Sequence, residues 1–222
     1  RLAAYVPNLI GGSADLAGSN NTTLKSESWL SPDNYQGRNI HFGVREFNTA
    51  CMVNGMALHS GLRPYGATFL VFSDYNKPAL RLAAIMNVPS LFIFTHDSIG
   101  VGEDGPTHQP IEQLTMLRAT PGLYVWRPAD GHETAAAYEW ALTEARPTVL
   151  ALTRQNLPTL DETGKAALRG GYVLRDNTDG ETPELILLAS GSEVSAAAET
   201  YDTLAAEGTR LRLVSIPCMD LF

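Results

Sequence analysis

Strand-length apolar runs alternate along this chain with stretches whose apolar residues recur at helical spacing. The runs fall at 8–11, 40–42, 65–72, 90–95, 123–126 and 148–153, and the helical pattern covers 46–60, 75–86, 111–119 and 132–145. Strands separated by helices of 10–15 residues predict βαβ units. The expected fold is therefore α/β, a doubly wound and mostly parallel sheet with helices on both faces. Pro110 is read as opening the 111–119 helix from its first turn.

Beyond residue 153 the pattern lapses and then restarts. Residues 154–183 are polar and rich in Gly, Asp and Thr, which suits a linker with one edge strand at 172–174. A strand at 184–190, a helix at 193–206 capped by Ser192 and stopped by Gly208, and a strand at 210–216 then complete one further βαβ unit. A unit of this size cannot cover both faces of its own strands. The expected organisation is a domain at 1–158, a linker at 159–183 and a partial second domain at 184–222. Together with a start at Arg1 rather than Met, this reads as a piece of a longer polypeptide.

Composition narrows the partners. Hydrophobic residues at 44% with 18% charged describe a folded chain, not a disordered one. No apolar run approaches the ~18 residues of a membrane span. A net charge of −8 with no basic cluster argues against a nucleic-acid backbone as partner. A small anion needs only a few local donors and stays open. Two widely separated cysteines, Cys51 and Cys218, in apolar contexts point to a reducing, cytoplasmic setting.

Several motifs then call for chemistry. Gly100-Val101-Gly102-Glu103-Asp104-Gly105 spells a dinucleotide fingerprint, but two acidic residues occupy the loop and Pro106 interrupts the helix start. The polar residues around it, His96, Asp97, Asp104 and His108, follow the end of a predicted strand, where open α/β sheets put their ligands. They read as loop-tying histidines, a catalytic pair or a metal site, although the spacing fits neither zinc fingers nor zincins. Glu46 opens a helix, either as a favourable charge at the positive end or as a partly buried acid that exchanges a proton with a ligand. Phe69, Phe72 and Tyr75 are core packing or a platform for a flat ring. Gly11-Gly12-Ser13-Ala14-Asp15-Leu16 is a tight turn open to a ligand or a plain loop. Arg154 could fork onto a phosphate or pair with a surface acid.

Taken together, GGSADL (11–16), GVREF (43–47), THDSIGVGEDGPTHQP (95–110), WRPADG (126–131) and RQNLP (154–158) resemble transketolase, over essentially the whole chain. The resemblance is to the pyrimidine-binding middle domain followed by the start of the C-terminal domain. It implies transfer of a two-carbon ketol unit from a ketose phosphate to an aldose phosphate, with thiamine diphosphate and a divalent cation such as Mg2+. By the same resemblance Glu46 bonds the far pyrimidine nitrogen and drives activation of the thiazolium. Phe69, Phe72 and Tyr75 surround the pyrimidine, with Phe72 stacking, and Asp15 and Leu16 lie near the cofactor. His96 and Asp104 contact sugar hydroxyls, His108 lies near the donor carbonyl and shuttles protons, and Ser19 and Arg154 hold the sugar phosphate.

The family holds its diphosphate and metal through a Gly-Asp-Gly segment followed by Asn. Asp-Gly occurs here at 104–105, 130–131 and 179–180, never after Gly, so no metal ligand is expected within this chain. In the family the cofactor lies between two subunits of a homodimer, so half of each site is expected here. Dihydroxyacetone synthase, half of a split enzyme, and a noncatalytic interaction module are the alternatives.

Overall fold

In the computed structural model the described residues are 2–222. They form two compact units, one of residues up to Tyr124 together with Ala141–Arg154, the other of Val125–Trp140 with Gln155–Phe222.

The first unit is built on parallel strands β1 (Leu9–Ser13), β2 (Asn39–His41), β3 (Arg63–Phe69), β4 (Leu91–Thr95) and β6 (Thr148–Leu152). With β5 (Tyr124–Trp126) the sheet order is β2-β1-β3-β4-β6-β5. Its helices are α1 (Leu2–Tyr5), α2 (Ala17–Asn20), α3 (Glu46–His59), α4 (Ser73–Met86), α5 (Gln113–Arg118) and the last turn of α6 (Gly131–Thr143). β4 is buried along its whole length and β3 at all but its first residue, as expected of central strands covered on both faces. The buried residues of α3, Thr49, Ala50, Val53, Asn54 and Ala57, form one stripe. That stripe lies on β3 where Gly66 has no side chain, since a Cβ there would stand 3.0 Å from the Val53 Cγ2 methyl. Asn54 locks α3 to its neighbours, donating to Ala79 O at 2.9 Å and accepting from the Ser90 hydroxyl at 2.7 Å.

The glycines of GGSADL have a steric reason. A Cβ on Gly11 would come to 2.1 Å from Tyr65 O, and one on Gly12 to 1.9 Å from Ile40 O. β1 can lie between β2 and β3 only with glycine at both positions.

The second unit has β7 (Tyr172–Asp176), β8 (Leu185–Ala189), β9 (Leu211–Ser215) and α7 (Glu193–Ala206), with sheet order β7-β9-β8. β8 and β9 are parallel across α7, and β7 runs antiparallel to β9. The WRPADG motif organises this unit. Asp130 accepts from Glu133 N at the head of α6, and from Leu160 N and the Thr163 hydroxyl. Glu133, fully buried, accepts from Ala129 N, Tyr172 OH and the Ser215 hydroxyl at 2.7, 2.8 and 2.6 Å. Arg127 pairs with Glu193 and donates to Ser190 O.

Three local expectations need correction. The 65–72 run is not one strand: β3 ends at Phe69, and a 3-10 turn over Leu70–Phe72 leads into α4. Pro110 does not open α5, which begins at Gln113 after the Gln113 side chain has accepted from Ile111 N. Ser192 stands at the cap position of α7 but makes no capping bond; its hydroxyl donates to Glu193 instead. The edge strand expected at 172–174 is present as β7, at the edge of the second sheet and paired with β9.

Candidate active site at the strand carboxyl ends

Chain direction reverses across the sheet at β1. The first crossover leads from β1 out to β2, and the next returns past β1 to β3. Open α/β sheets bind ligands outside the carboxyl ends of the strands at such a switch point. Each residue singled out from sequence follows the end of one of these strands. Asp15, Leu16 and Ser19 follow β1; Glu46 follows β2; Phe69, Phe72 and Tyr75 end and follow β3. His96, Asp104 and His108 follow β4, and Arg154 follows β6.

The aromatic residues form a ladder because of the 3-10 turn. Residues i and i+3 eclipse in that geometry. Phe69 and Phe72 therefore lie parallel within 10° at 6.1 Å, and Phe72 and Tyr75 follow at 6.1 Å and 28°. Phe69 is buried, Phe72 half-buried and Tyr75 exposed, so the ladder climbs from core to surface.

Strand register sets the next contact. Phe69 is paired with Thr95, so His96 comes beside the Phe69 ring, with centroids 4.6 Å apart. His108 folds back edge-on to Phe72 at 5.3 Å and to Phe69 at 6.0 Å. Its loop turns through Gly102 and Gly105, both at positive φ, and is closed by His108 N donating to Gly105 O. No helix starts at the Gly-x-Gly-x-x-Gly run, so no helix N-terminus is offered to a pyrophosphate there.

His96 is buried and its Nδ1 has no partner. Burial first, and then the Arg154 guanidinium, hold its pKa below the ordinary histidine range, against the opposing pull of Asp104 and Asp97. It is therefore a neutral imidazole able to give or take a proton. Glu46 is half-buried at the head of α3, and its carboxylate makes no hydrogen bond or ion pair among the described residues.

Five predicted residues are thus brought into one cluster: Phe69, Phe72, Tyr75, His96 and His108. Glu46, Asp15, Leu16, Ser19, Asp104 and Arg154 surround the same end of the sheet without a hydrogen bond or ring contact to that cluster among the described residues. Asp15 has φ 62, a left-handed backbone that aspartate adopts more readily than most non-glycine residues. Two features escaped the sequence reading. One is a cleft of about 410 Å³ lined by Ser13, Asp15, Trp29, His41 and Arg45. Within it Trp29 and His41 stack at 3.7 Å. The other is a buried Ser13–Asn20–Thr95 chain of hydrogen bonds. Both join residues far apart in sequence, and Asn20, Trp29 and His41 belong to no motif.

Fold and site define an α/β ligand-binding domain with an aromatic platform, a free acid and a neutral histidine at its switch point. The family model of the transketolase pyrimidine binding domain matches residues 1–159, and that of the transketolase-like C-terminal domain matches 170–222. The transketolase of Bacillus subtilis (strain 168) is 54% identical over 226 residues, covering 100% of this chain and 34% of its own length. A transketolase variant from Pichia stipitis, solved in complex with fructose-6-phosphate, superposes with a TM-score of 0.94 at 45% identity, covering 99% of this chain and 33% of that one. A split-gene transketolase, described as an inactive β4 tetramer, superposes at 0.77 with 25% identity, covering 98% and 67%. The chain belongs to the transketolase family, and it spans about a third of the length of the curated relatives it matches.

Proposed function

We propose that this chain supplies the pyrimidine-binding half of a transketolase active site, in an enzyme that moves a two-carbon ketol unit from a ketose phosphate to an aldose phosphate. Residues 1–158 form the pyrimidine-binding domain, 159–183 a linker and 184–222 the start of the C-terminal domain. The enzyme works as a cytoplasmic homodimer on sugar phosphates, with no nucleic-acid or membrane partner. Among the described residues no helix is long and apolar enough to cross a membrane. The single observation that carries the reading is that Glu46, half-buried and without a partner among the described residues, and the Phe69–Phe72–Tyr75 ladder both follow strands at one switch point.

These residues fit thiamine diphosphate. Phe72 offers a half-buried ring face to a heteroaromatic ring. The Glu46 carboxyl, with no competing partner among the described residues, is available to hydrogen-bond a ring nitrogen. Asp15 and Leu16 bound the same space from the end of β1. When bound, the cofactor supplies the electron sink for cleaving and forming the carbon–carbon bond. His108 and His96 move protons at the sugar carbonyl and hydroxyl oxygens and steady the developing negative charge. Asp104 accepts from a sugar hydroxyl, and Ser19 and Arg154 bind the phosphate. The diphosphate and its divalent ion, Mg2+ in this reading, are held by a domain other than these two.

The test is ketol transfer to ribose 5-phosphate by the full-length polypeptide containing this chain, with thiamine diphosphate and Mg2+ present. Transfer supports the reading; a preference for formaldehyde as acceptor would make the enzyme a dihydroxyacetone synthase. The likeness to a split-gene transketolase favours one second reading, in which the rest of the site comes from a separate polypeptide. Activity that appears only when a separately made diphosphate-binding chain is added would establish it.

A further inference from the structure

Asn20, at the centre of the Ser13–Asn20–Thr95 hydrogen bonds, belongs to no motif and has no role assigned above. Asn20 is the last residue of α2 and is 5% exposed. Its Oδ1 accepts from the Ser13 hydroxyl at 2.5 Å, and its Nδ2 donates to Thr95 Oγ1 at 2.5 Å and to Thr68 O at 3.4 Å. One carboxamide therefore touches the ends of β1, β3 and β4. The main-chain carbonyl of Thr68 can only accept, which fixes the amide nitrogen on that side.

The segment it holds needs holding. A helix of four residues does not persist alone in water. This one is bracketed by Asp15 at φ 62 and Asn21 at φ 53, both left-handed and both non-glycine. One other side chain ties down the segment's far end, Tyr65 OH donating to Thr22 O at 2.7 Å. Ser19, an exposed residue, precedes Asn20 directly, and Thr95 directly precedes His96. The same amide thus sets the place of both.

We propose that Asn20 is a positioning residue for this site, its carboxamide locking the Ser19 segment to the His96 end of β4 so that phosphate and sugar ends of one substrate are held at a fixed separation. The inference rests on the assignment of Ser19 and His96 to sugar-phosphate binding. Asparagine suits the place by its chemistry: leucine of similar size neither accepts nor donates, and ionised aspartate would set a second acceptor against Thr68 O.

The experiment uses the full-length polypeptide and compares kcat and KM for ribose 5-phosphate with those for unphosphorylated ribose. The wild type is expected to prefer the phosphorylated sugar. Asn20→Leu and Thr95→Val are each expected to cut that preference about tenfold or more, mainly through KM, since an ångström of misplacement suffices. Thr95→Ser, which keeps the hydroxyl, restores the preference. Asn20→Asp is expected to recover it as pH falls and the carboxyl gains a proton to donate, a profile that a merely destabilised fold would not produce. Amide exchange over 15–22 should quicken in Asn20→Leu; where that variant does not fold, Asn20→Asp at low pH decides. A wild type without the preference overturns the phosphate assignment and the inference with it. A wild type with the preference, and Asn20 and Thr95 variants that keep it, overturns the inference alone.

Discussion

Replacing Glu133 by leucine is expected to destabilise the protein by about 3 kcal/mol. The carboxylate is fully buried and takes three hydrogen bonds, from a backbone N–H and two hydroxyls. Leucine fills the volume but strands all three donors, and each stranded buried group costs ~1–3 kcal/mol. Set against a gross loss of roughly 3–9 kcal/mol is the desolvation that an ionised carboxylate no longer suffers, so the net falls near the lower end. Burial is also the leading reason that the Glu133 carboxyl sits above the usual carboxylate range, ahead of the hydrogen bonds from Ser215, Ala129 and Tyr172 that lower it. A folded pKa raised above the unfolded one means stability that is complete at low pH and is lost as pH climbs from about 4.5 through the raised value. Glu133→Gln keeps one acceptor oxygen and cannot ionise, so it should lose about half as much and flatten that pH dependence. Urea unfolding at several pH values reads both effects. Adding Tyr172→Phe to Glu133→Leu should cost little more, because its partner is already gone. A loss below about 1 kcal/mol for Glu133→Leu, or full additivity with Tyr172→Phe, would refute the network's role.

Three further outcomes are expected. Arg154→Gln should raise the His96 titration midpoint seen by NMR, but only part of the way to the ordinary 6.5, because burial is the larger cause; an unchanged midpoint would remove Arg154 from the site. Gly12→Ala should prevent β1 from seating against β2, since its Cβ would meet Ile40 O at 1.9 Å, and near-wild-type unfolding would contradict that packing. Calorimetric titration of the 222-residue chain alone with thiamine diphosphate and Mg2+ should give weak binding; tight binding would mean that the diphosphate contacts lie within this chain.

Much of the fold was readable because it rests on local pattern. Strand-length apolar runs and helical-period segments mark β1 to β4 and α3, and Gly11 and Gly12 fall where strands approach closely. The aromatic platform was legible as residue types at 69, 72 and 75, but not as a ladder, because the 3-10 turn that aligns the rings replaces what reads as continuous strand. The short α2 was missed for a related reason: its stability comes from Asn20 reaching Thr68 and Thr95, 48 and 75 residues away. Sequence pattern near residue 20 carries no trace of those partners. WRPADG served as a family signal, yet its Asp130 and the following Glu133 build the second unit, a role visible only once Tyr172 and Ser215 arrive from distant strands.

The central claim is that the acid at the head of α3 works on the far nitrogen of a ring stacked against Phe72. Hydrogen–deuterium exchange at the thiazolium carbon of thiamine diphosphate bound to the full-length polypeptide tests it directly. The expectation is that Glu46→Gln slows this exchange by about 10²- to 10⁴-fold, the range of a general acid–base contribution, while the cofactor still binds and the fold persists. Exchange at the wild-type rate in that variant, with the cofactor bound, would contradict the account.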